Sequence, residues 1–221
     1  MPGLFFLFFI VVVVLIIISF HAEKKRRERI RLFAVQRGYR FFPGKDRDFA
    51  RTFQEFRCLQ QGSSRFAQYR MDGEWNGMNM RICEYHYQVT HGSGKNRSTH
   101  HYWSTLLMLQ PDFYLKPLTI RREGVFDKMK GAFGWDDIDF SSAEFSRNFY
   151  VTSPDRDWAF AVVQPRTMDL LMQKGGEYEF HMQQGWLMVR MKQRMDLNRI
   201  DPMAKVGSEL LALIPDFCKE Q

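Results

Sequence analysis

Four of the six histidines in this 221-residue sequence fall within a single stretch of sixteen positions. Imidazole nitrogens are common zinc ligands, and a zinc site needs three or four ligands that converge at about 2 Å. Residues 78–109 alternate with period two and predict a β-hairpin whose loop spans residues 91–98. If this hairpin pairs symmetrically about residues 94 and 95, only part of the set shares one face, with Glu84 as a companion. The candidate ligands are His86, His91, His100 and His101.

Packing against aromatic side chains or exposure to water explains these histidines more simply than a metal does. A metal-dependent hydrolase is therefore the least favoured of three functional hypotheses, and no cofactor is expected. Gly92-Ser93-Gly94-Lys95 resembles a phosphate-binding loop, but Val89 and Asn96 replace the glycine and the hydroxyl residue that the loop needs. It also joins two predicted strands, whereas a phosphate-binding loop joins a strand to a helix.

The remaining reactive side chains form no recognisable catalytic set. Asp136, Asp137 and Asp139, with Asp127 nearby, could bind a divalent cation, but Asp139 directly precedes a helix start, where a carboxylate is favoured electrostatically. The sequence has no nucleophile elbow around a serine. The three cysteines are odd in number and lack paired spacing, so we expect buried, reduced thiols.

The elements that position these residues predict an α+β domain built on antiparallel sheet. Asp46 is the predicted N-cap of a helix that carries three phenylalanines, and residues 72–77 form the predicted turn before the long hairpin. A strand over residues 114–121 follows, and the capping-box pattern Ser141-Ser142-Ala143-Glu144 predicts a later helix start. Ser153-Pro154-Asp155 predicts another, with the proline at the first helical position. A second hairpin turns at Gln184-Gly185, and a helix from Asp201 ends the domain.

Residues 1–21 form a predicted transmembrane anchor. The apolar run from Leu4 to Phe20 contains no ionisable side chain, and 17 residues of helix span roughly 25 Å. The basic residues follow the run, whereas a cleavable signal peptide carries them before it. The positive-inside tendency then places the N-terminus outside and the domain, residues 41–221, in the cytoplasm. The predicted location is the cell membrane, with a single pass.

Residues 22–40 form a predicted basic juxtamembrane helix. Residues 23–31 contain six basic and two acidic side chains, which is +4 of the net charge of +7. Because the domain itself is close to balanced, nucleic acid is not an expected partner. The cluster is explained as a determinant of topology, and it could also bind anionic lipid headgroups. Its residues are Lys24, Lys25, Arg26, Arg27, Arg29 and Arg31.

Several segments of the second half are similar to a family of bacterial membrane-anchored proteins that contain a domain of unknown function. The likeness spans about residues 115–195 and rests on the segments 139–145, 149–155, Trp158-Ala159 and 167–171. It implies an α+β domain that faces the cytoplasm, and it supplies no catalytic residues. Relatives with two membrane segments differ from this chain, in which one is visible.

These observations favour a non-enzymatic interaction or scaffolding domain that is tethered to the membrane and binds an unknown protein partner. The second hypothesis is a module that binds a lipid headgroup or another small ligand, by analogy with pleckstrin-like architecture. The enzyme question stays open, with non-enzymatic function favoured.

Overall fold

The computed structural model describes residues 2–92, 94–122 and 138–219. Its first element is one continuous helix, α1 (Pro2–Gln36). The part from Leu7 onward is long and apolar enough to cross a membrane, and its large apolar side chains as far as Phe20 are mostly exposed. An apolar surface around the whole helix is typical of a segment surrounded by lipid. The helix ends before Gly38, whose φ of 70° suits glycine.

The last turns of α1 belong to the core of the domain. Ile30, Phe33 and Ala34 are buried together with strands of the sheet. The helix passes without a break through the predicted boundary between residues 21 and 22. The basic segment therefore connects the apolar helix directly to the domain core.

The eight strands in the described part of the chain join one antiparallel sheet, which confirms the α+β class. Their order across the sheet is β1-β2-β3-β4-β8-β7-β5-β6. The strands are β1 (Arg40–Phe42), β2 (Ser63–Trp75), β3 (Met78–His91), β4 (Ser98–Gln110), β5 (Leu118–Arg122), β6 (Phe149–Thr152), β7 (Glu179–Gln183) and β8 (Trp186–Met191).

The long hairpin has the register that the sequence predicts. His86 pairs with Trp103, and Gln88 pairs with His101. The preceding turn is shorter than predicted, because β2 continues through residues 72–75 and only Asn76-Gly77 turn the chain. Both residues have positive φ, of 50° and 78°, as a tight hairpin turn requires. Likewise, β5 begins at Leu118 and not at residue 114.

The helices of the second half pack against one face of the sheet. The N-caps of the first two helices are Ser142 and Asp155, whose side-chain oxygens accept from the backbone N–H groups of Phe145 and Trp158 at 3.3 and 2.9 Å. These two helices therefore begin one and two residues later than the capping box at Ser141 and the Ser153-Pro154 pair predict. The helices of the second half are α3 (Ala143–Asn148), α4 (Arg156–Val162), α5 (Pro165–Leu170) and α6 (Ile200–Ala212).

The predicted helix after Asp46 is reduced to a single turn, α2 (Phe49–Thr52). Asp46 does not cap it; its backbone pairs with Ala67 of β2, and its carboxylate accepts from the N–H of Asp48 at 3.0 Å. Because the backbone of Asp46 pairs with β2, Asp46 cannot cap the helix, and the helix begins later and is shorter than predicted. The apolar side of this segment is nevertheless buried, as the spacing of Phe49, Phe53 and Phe56 predicts.

Alternation along the strands divides the core between the two faces. Leu107, Val189 and Ile120 point to the face covered by α1 and the later helices. Tyr85, Leu106 and Met188 point to the opposite face, where residues 49–59 cover only the half of the sheet around β3 and β4. Within the described residues, the half formed by β7, β5 and β6 is not covered by this segment on that face.

Candidate functional site

A groove of about 350 Å³ lies over the open half of the sheet. Its floor consists of side chains that alternate with the core positions of β5 to β8, and one wall is the segment around the 3-10 turn Arg57–Leu59. The hydroxyl of Tyr85 donates to the carbonyl of Leu59 at 2.6 Å and holds this wall against the sheet. The size is within the range of small-ligand pockets.

Three ionisable residues lie in the floor of the groove, and each is at most 9% exposed: Glu179 and His181 of β7 and Arg190 of β8. Arg190 Nη1 lies 3.1 Å from Glu179 Oε2, and the exposed Lys192 reaches Glu179 Oε1 at 2.6 Å. Burial alone would raise the pKa of Glu179, but His181, Arg190 and Lys192 hold that pKa far below its ordinary value. The carboxylate therefore stays charged.

His181 has one satisfied ring nitrogen and one without a hydrogen bond. Nδ1 lies 3.2 Å from Thr119 Oγ1, whereas Nε2 is 3.7 Å from Glu179 Oε2 and makes no hydrogen bond in the described structure. Burial opposes protonation, yet Cys58 and Glu179 raise the pKa of this imidazole to about 9. The floor thus contains a protonated histidine whose Nε2 is buried and makes no hydrogen bond within the described residues.

Cys58 brings a thiol next to this histidine. Burial would raise the thiol pKa, but His181 and Arg190 reverse the effect and lower it. Cys58, His181 and Glu179 are the residue types of a cysteine nucleophile with its base. Cys58 lines the groove but is only 3% exposed, and its Sγ lies 4.0 Å from Met188 Sδ.

Among the described residues, the rim of the groove carries more basic than acidic side chains. Arg57, Arg121 and Lys192 line it, with Glu55 as the acidic counterpart. The guanidinium of Arg121 lies over the ring of Tyr150, 4.2 Å from its centroid. Tyrosines stand beside these charges and offer flat apolar surfaces; they are Tyr87, Tyr102 and Tyr150. An acidic ligand with an apolar part fits this lining.

A second group of buried charges joins α1 to the sheet. Glu84 of β3 is fully buried, and Arg26 of α1 reaches its Oε1 at 2.6 Å and its Oε2 at 3.3 Å. Arg194, the amide of Gln68 and the backbone N–H of Met195 complete its hydrogen bonds. Burial would raise the pKa of Glu84, but these donors keep it below its ordinary value. Every oxygen of this carboxylate is therefore compensated.

Among solved structures, the mycobacterial trehalose monomycolate transport factor A, TtfA, is similar to this chain. Its crystal structure superimposes with a TM-score of 0.55 at 13% sequence identity, over 86% of this chain and 96% of that one. At this identity the likeness shows a common fold. No protein-family model matches the sequence, and no curated protein sequence matches it. The resemblance of residues 115–195 to a bacterial membrane-anchored family therefore stays a prediction.

The predicted histidine cluster separates into two pairs. His86 Nε2 lies 2.9 Å from His101 Nδ1, and the rings of Phe66 and Trp103 each stand 4.6 Å from the ring of His86. The rings of His91 and His100 lie 5.8 Å apart on the exposed end of the hairpin. Within the described residues, no three His, Cys, Asp or Glu side chains converge as metal ligands would.

Five of the six basic residues predicted at the membrane surface are exposed on α1: Lys24, Lys25, Arg27, Arg29 and Arg31. Arg31 pairs with Glu28 one turn earlier at 3.0 Å. The sixth, Arg26, points instead to Glu84. All three cysteines are free and buried, as expected.

Two other motifs of the sequence lie in a hairpin loop and before a helix. Of the predicted phosphate-loop-like segment, Gly92 lies between β3 and β4 with a φ of 78°, and Gly94–Asn96 form a 3-10 turn in the same connection. Of the predicted acidic cluster, Asp139 precedes the N-cap Ser142 by three residues. Asp127, Asp136 and Asp137 lie outside the described residues.

Sequence reasoning missed both buried charge groups. Glu179, His181 and Arg190 stand at alternate positions of short strands, a pattern that equally describes a water-facing side. The available signal was the mixed charge of these positions in strands whose other side chains are strongly apolar, as in Trp186–Met191.

Proposed function

We propose that this protein is a membrane-anchored, non-enzymatic interaction protein whose groove binds an acidic segment of a partner protein. In this proposal residues 1–21 are the anchor, residues 22–40 the basic linking helix, and residues 41–221 a cytoplasmic binding domain. The observation that carries the proposal is the groove itself, with its buried Glu179–Arg190 pair, the buried Nε2 of His181 that makes no hydrogen bond within the described residues, and a basic rim.

The connection between helix and domain supports a role at a membrane. Because α1 runs from its apolar part into the domain core, the groove keeps a fixed orientation relative to the anchor. A flexible linker would instead allow the domain to rotate freely. A fixed orientation is useful for presenting a binding surface to a partner at the membrane. The name of TtfA describes a transport factor, and a factor that acts by binding accords with this role.

Photo-crosslinking in intact membranes tests the proposal. A benzophenone amino acid replaces Tyr102 or Tyr150 in the groove, and in a control it replaces Phe160, which is 43% exposed on the helical side. Discrete protein adducts from both groove positions, absent from Phe160, are the expected result. Adducts of equal yield from all three positions, or none from the groove, would overturn the proposal. Reporter fusions at residue 221 test the cytoplasmic orientation in the same cells.

A small acidic ligand is the alternative occupant, and the groove volume of about 350 Å³ favours it. The same crosslinking experiment separates the two occupants by mass. A protein adduct supports the partner segment, whereas an adduct of a few hundred daltons at Tyr102 or Tyr150 supports a lipid headgroup or a metabolite.

A further inference from the structure

The outer end of the long hairpin stands clear of the rest of the sheet. The pairing of β2 with β3 reaches only to Gln88, and the pairing of β8 with β4 begins at Thr105. Residues 89–100 are here termed the hairpin arm. In the part of the arm that the structure describes, strand pairing joins arm residues only to one another, as it joins Val89 to His100. A two-stranded ribbon alone is marginally stable in water. A surface that the arm contacts would therefore stabilise it.

The arm points in the same direction as the apolar end of α1. The ring of Tyr39, just after α1, packs directly against Gly73, which pairs with Met80 near the start of β3. Further along both elements, Arg26 contacts Glu84. The helix and β3 thus run antiparallel side by side, and β3 advances towards the apolar part of the helix.

The lengths of the helix before Arg26 and of the strand after Glu84 place the arm at the level where the apolar run ends. From Arg26 back to Phe20, where the apolar run ends, six helical residues rise by about 9 Å. From Glu84 on to His91, seven strand residues extend by about 23 Å. Measured along the helix axis, the strand from Glu84 to His91 reaches the level of Phe20 if the angle between strand and helix axis is below roughly 65°.

The charge of the arm matches an anionic surface. No acidic side chain occurs between residues 85 and 111, whereas Lys95 and Arg97 lie within the arm. His91 and His100 are exposed there as well. Basic side chains near a membrane are attracted to anionic headgroups.

We propose that the hairpin arm is a second membrane contact, which binds the headgroups of anionic phospholipids beside the anchor. This inference rests on the anchoring by α1 in the proposed function. Together the helix and the arm fix two points of the domain on the membrane, so that the domain cannot tilt about its anchor.

Fluorescence quenching in nanodiscs tests the contact with the full-length protein. A fluorophore is attached to Ser98→Cys on the arm, to Ala22→Cys on α1 or to Asp112→Cys beyond the far end of β4. The native Cys58, Cys83 and Cys218 are at most 4% exposed and react slowly. The nanodiscs contain anionic phospholipid and a lipid with a nitroxide on its headgroup.

Strong quenching at Ala22 and Ser98, with little at Asp112, is expected. Quenching at Ala22 without quenching at Ser98 would overturn the arm contact and leave the anchor intact. Absence of quenching at Ala22 would reject the anchor itself, and the arm contact with it.

Charge substitutions test whether the contact between the arm and the membrane requires basic side chains. Replacing Lys95 and Arg97 by Gln should lower the equilibrium constant for contact between the arm and the membrane by roughly tenfold or more. Quenching at Ser98→Cys should therefore decrease. Lys205→Gln, on the exposed side of α6, leaves it unchanged. Equal quenching with and without the two arm charges, or in purely zwitterionic nanodiscs, would contradict recognition of anionic headgroups.

Discussion

The guanidinium of Arg26 lies 2.6 Å from the fully buried carboxylate of Glu84. This contact joins two residues separated by 58 positions and connects the helix that carries the apolar span to the central strand β3. Arg194 approaches the same carboxylate from the other side at 3.1 Å. Glu84 therefore joins α1, the sheet and the loop after β8.

Replacing Arg26 by Ala should lower the free energy of unfolding by about 2–4 kcal/mol, because Glu84 keeps its charge in the interior with fewer donors. Arg27→Ala is the matched control, since Arg27 is the next residue and is exposed. Urea unfolding of the full-length protein in detergent measures both. Equal effects of the two substitutions would show that the contact with Glu84 contributes no stability.

Glu84→Gln should change how the stability responds to acid. The folded-state pKa of Glu84 lies below its ordinary value of 4.5, so the stabilisation by its charge is present above that pH. It is lost as the pH falls through the folded-state pKa. The stability difference between wild type and Glu84→Gln should therefore shrink below pH 4.5. A difference that stays constant in unfolding curves down to pH 3 would contradict this.

The sequence predicted the parts of the fold that depend on local pattern. The two-residue alternation along β3 predicted that Cys83, Tyr85 and Tyr87 share one face, and all three pack in the same buried cluster. The loop residues fixed the register of the long hairpin. The helix after Asp46 was predicted too long, because the pairing of Asp46 with Ala67 is a non-local contact.

The same limit explains why the candidate site was missed. Cys58, His181 and Arg190 come from three separate segments, and only the sheet order brings them together. Arg26 was assigned to the membrane surface because basic residues after an apolar run have a sufficient explanation in topology. Its contact with Glu84 depends on how α1 docks, which no local pattern encodes.

His181→Gln should cost stability on the order of 2 kcal/mol near pH 6, and this cost should disappear at high pH. The pKa of His181 is raised to about 9 in the folded protein, above the ordinary 6.5. Its stabilisation is complete below pH 6.5 and is lost as the pH rises through 9. Thermal unfolding of both proteins between pH 6 and 10 measures the difference.

The stability cost of His86→Gln should depend on pH in the opposite direction. Burial lowers the pKa of His86, so the wild-type protein loses stability at this site as the pH falls below 6.5. The cost of His86→Gln should therefore be largest at high pH and smaller in acid. Parallel pH dependences for the two histidines would contradict the opposite environments described for them.

Gly62→Ala should destabilise the wall of the groove. Gly62 has a φ of 60°, and a Cβ there would lie 2.3 Å from the carbonyl oxygen of Gln88. Strain and overlap together should cost about 2–3 kcal/mol. Gly44→Ala is the control, because its Cβ would meet no atom within 4 Å. Comparable unfolding free energies for the two variants would show that the segment before β2 moves freely.

Arg121→Gln should weaken partner binding in the groove, whereas Arg122→Gln should not. The two residues are neighbours on β5, but Arg121 lines the groove and Arg122 points to the other face, where it reaches Asn148 at 3.1 Å. Loss of one positive charge from the rim should reduce the affinity for an acidic segment by roughly threefold to tenfold. The yield of crosslinked adduct from the Tyr102 position measures this at limiting partner concentration. An equal loss for both variants would mean that the net charge of the domain, and not the groove, attracts the partner.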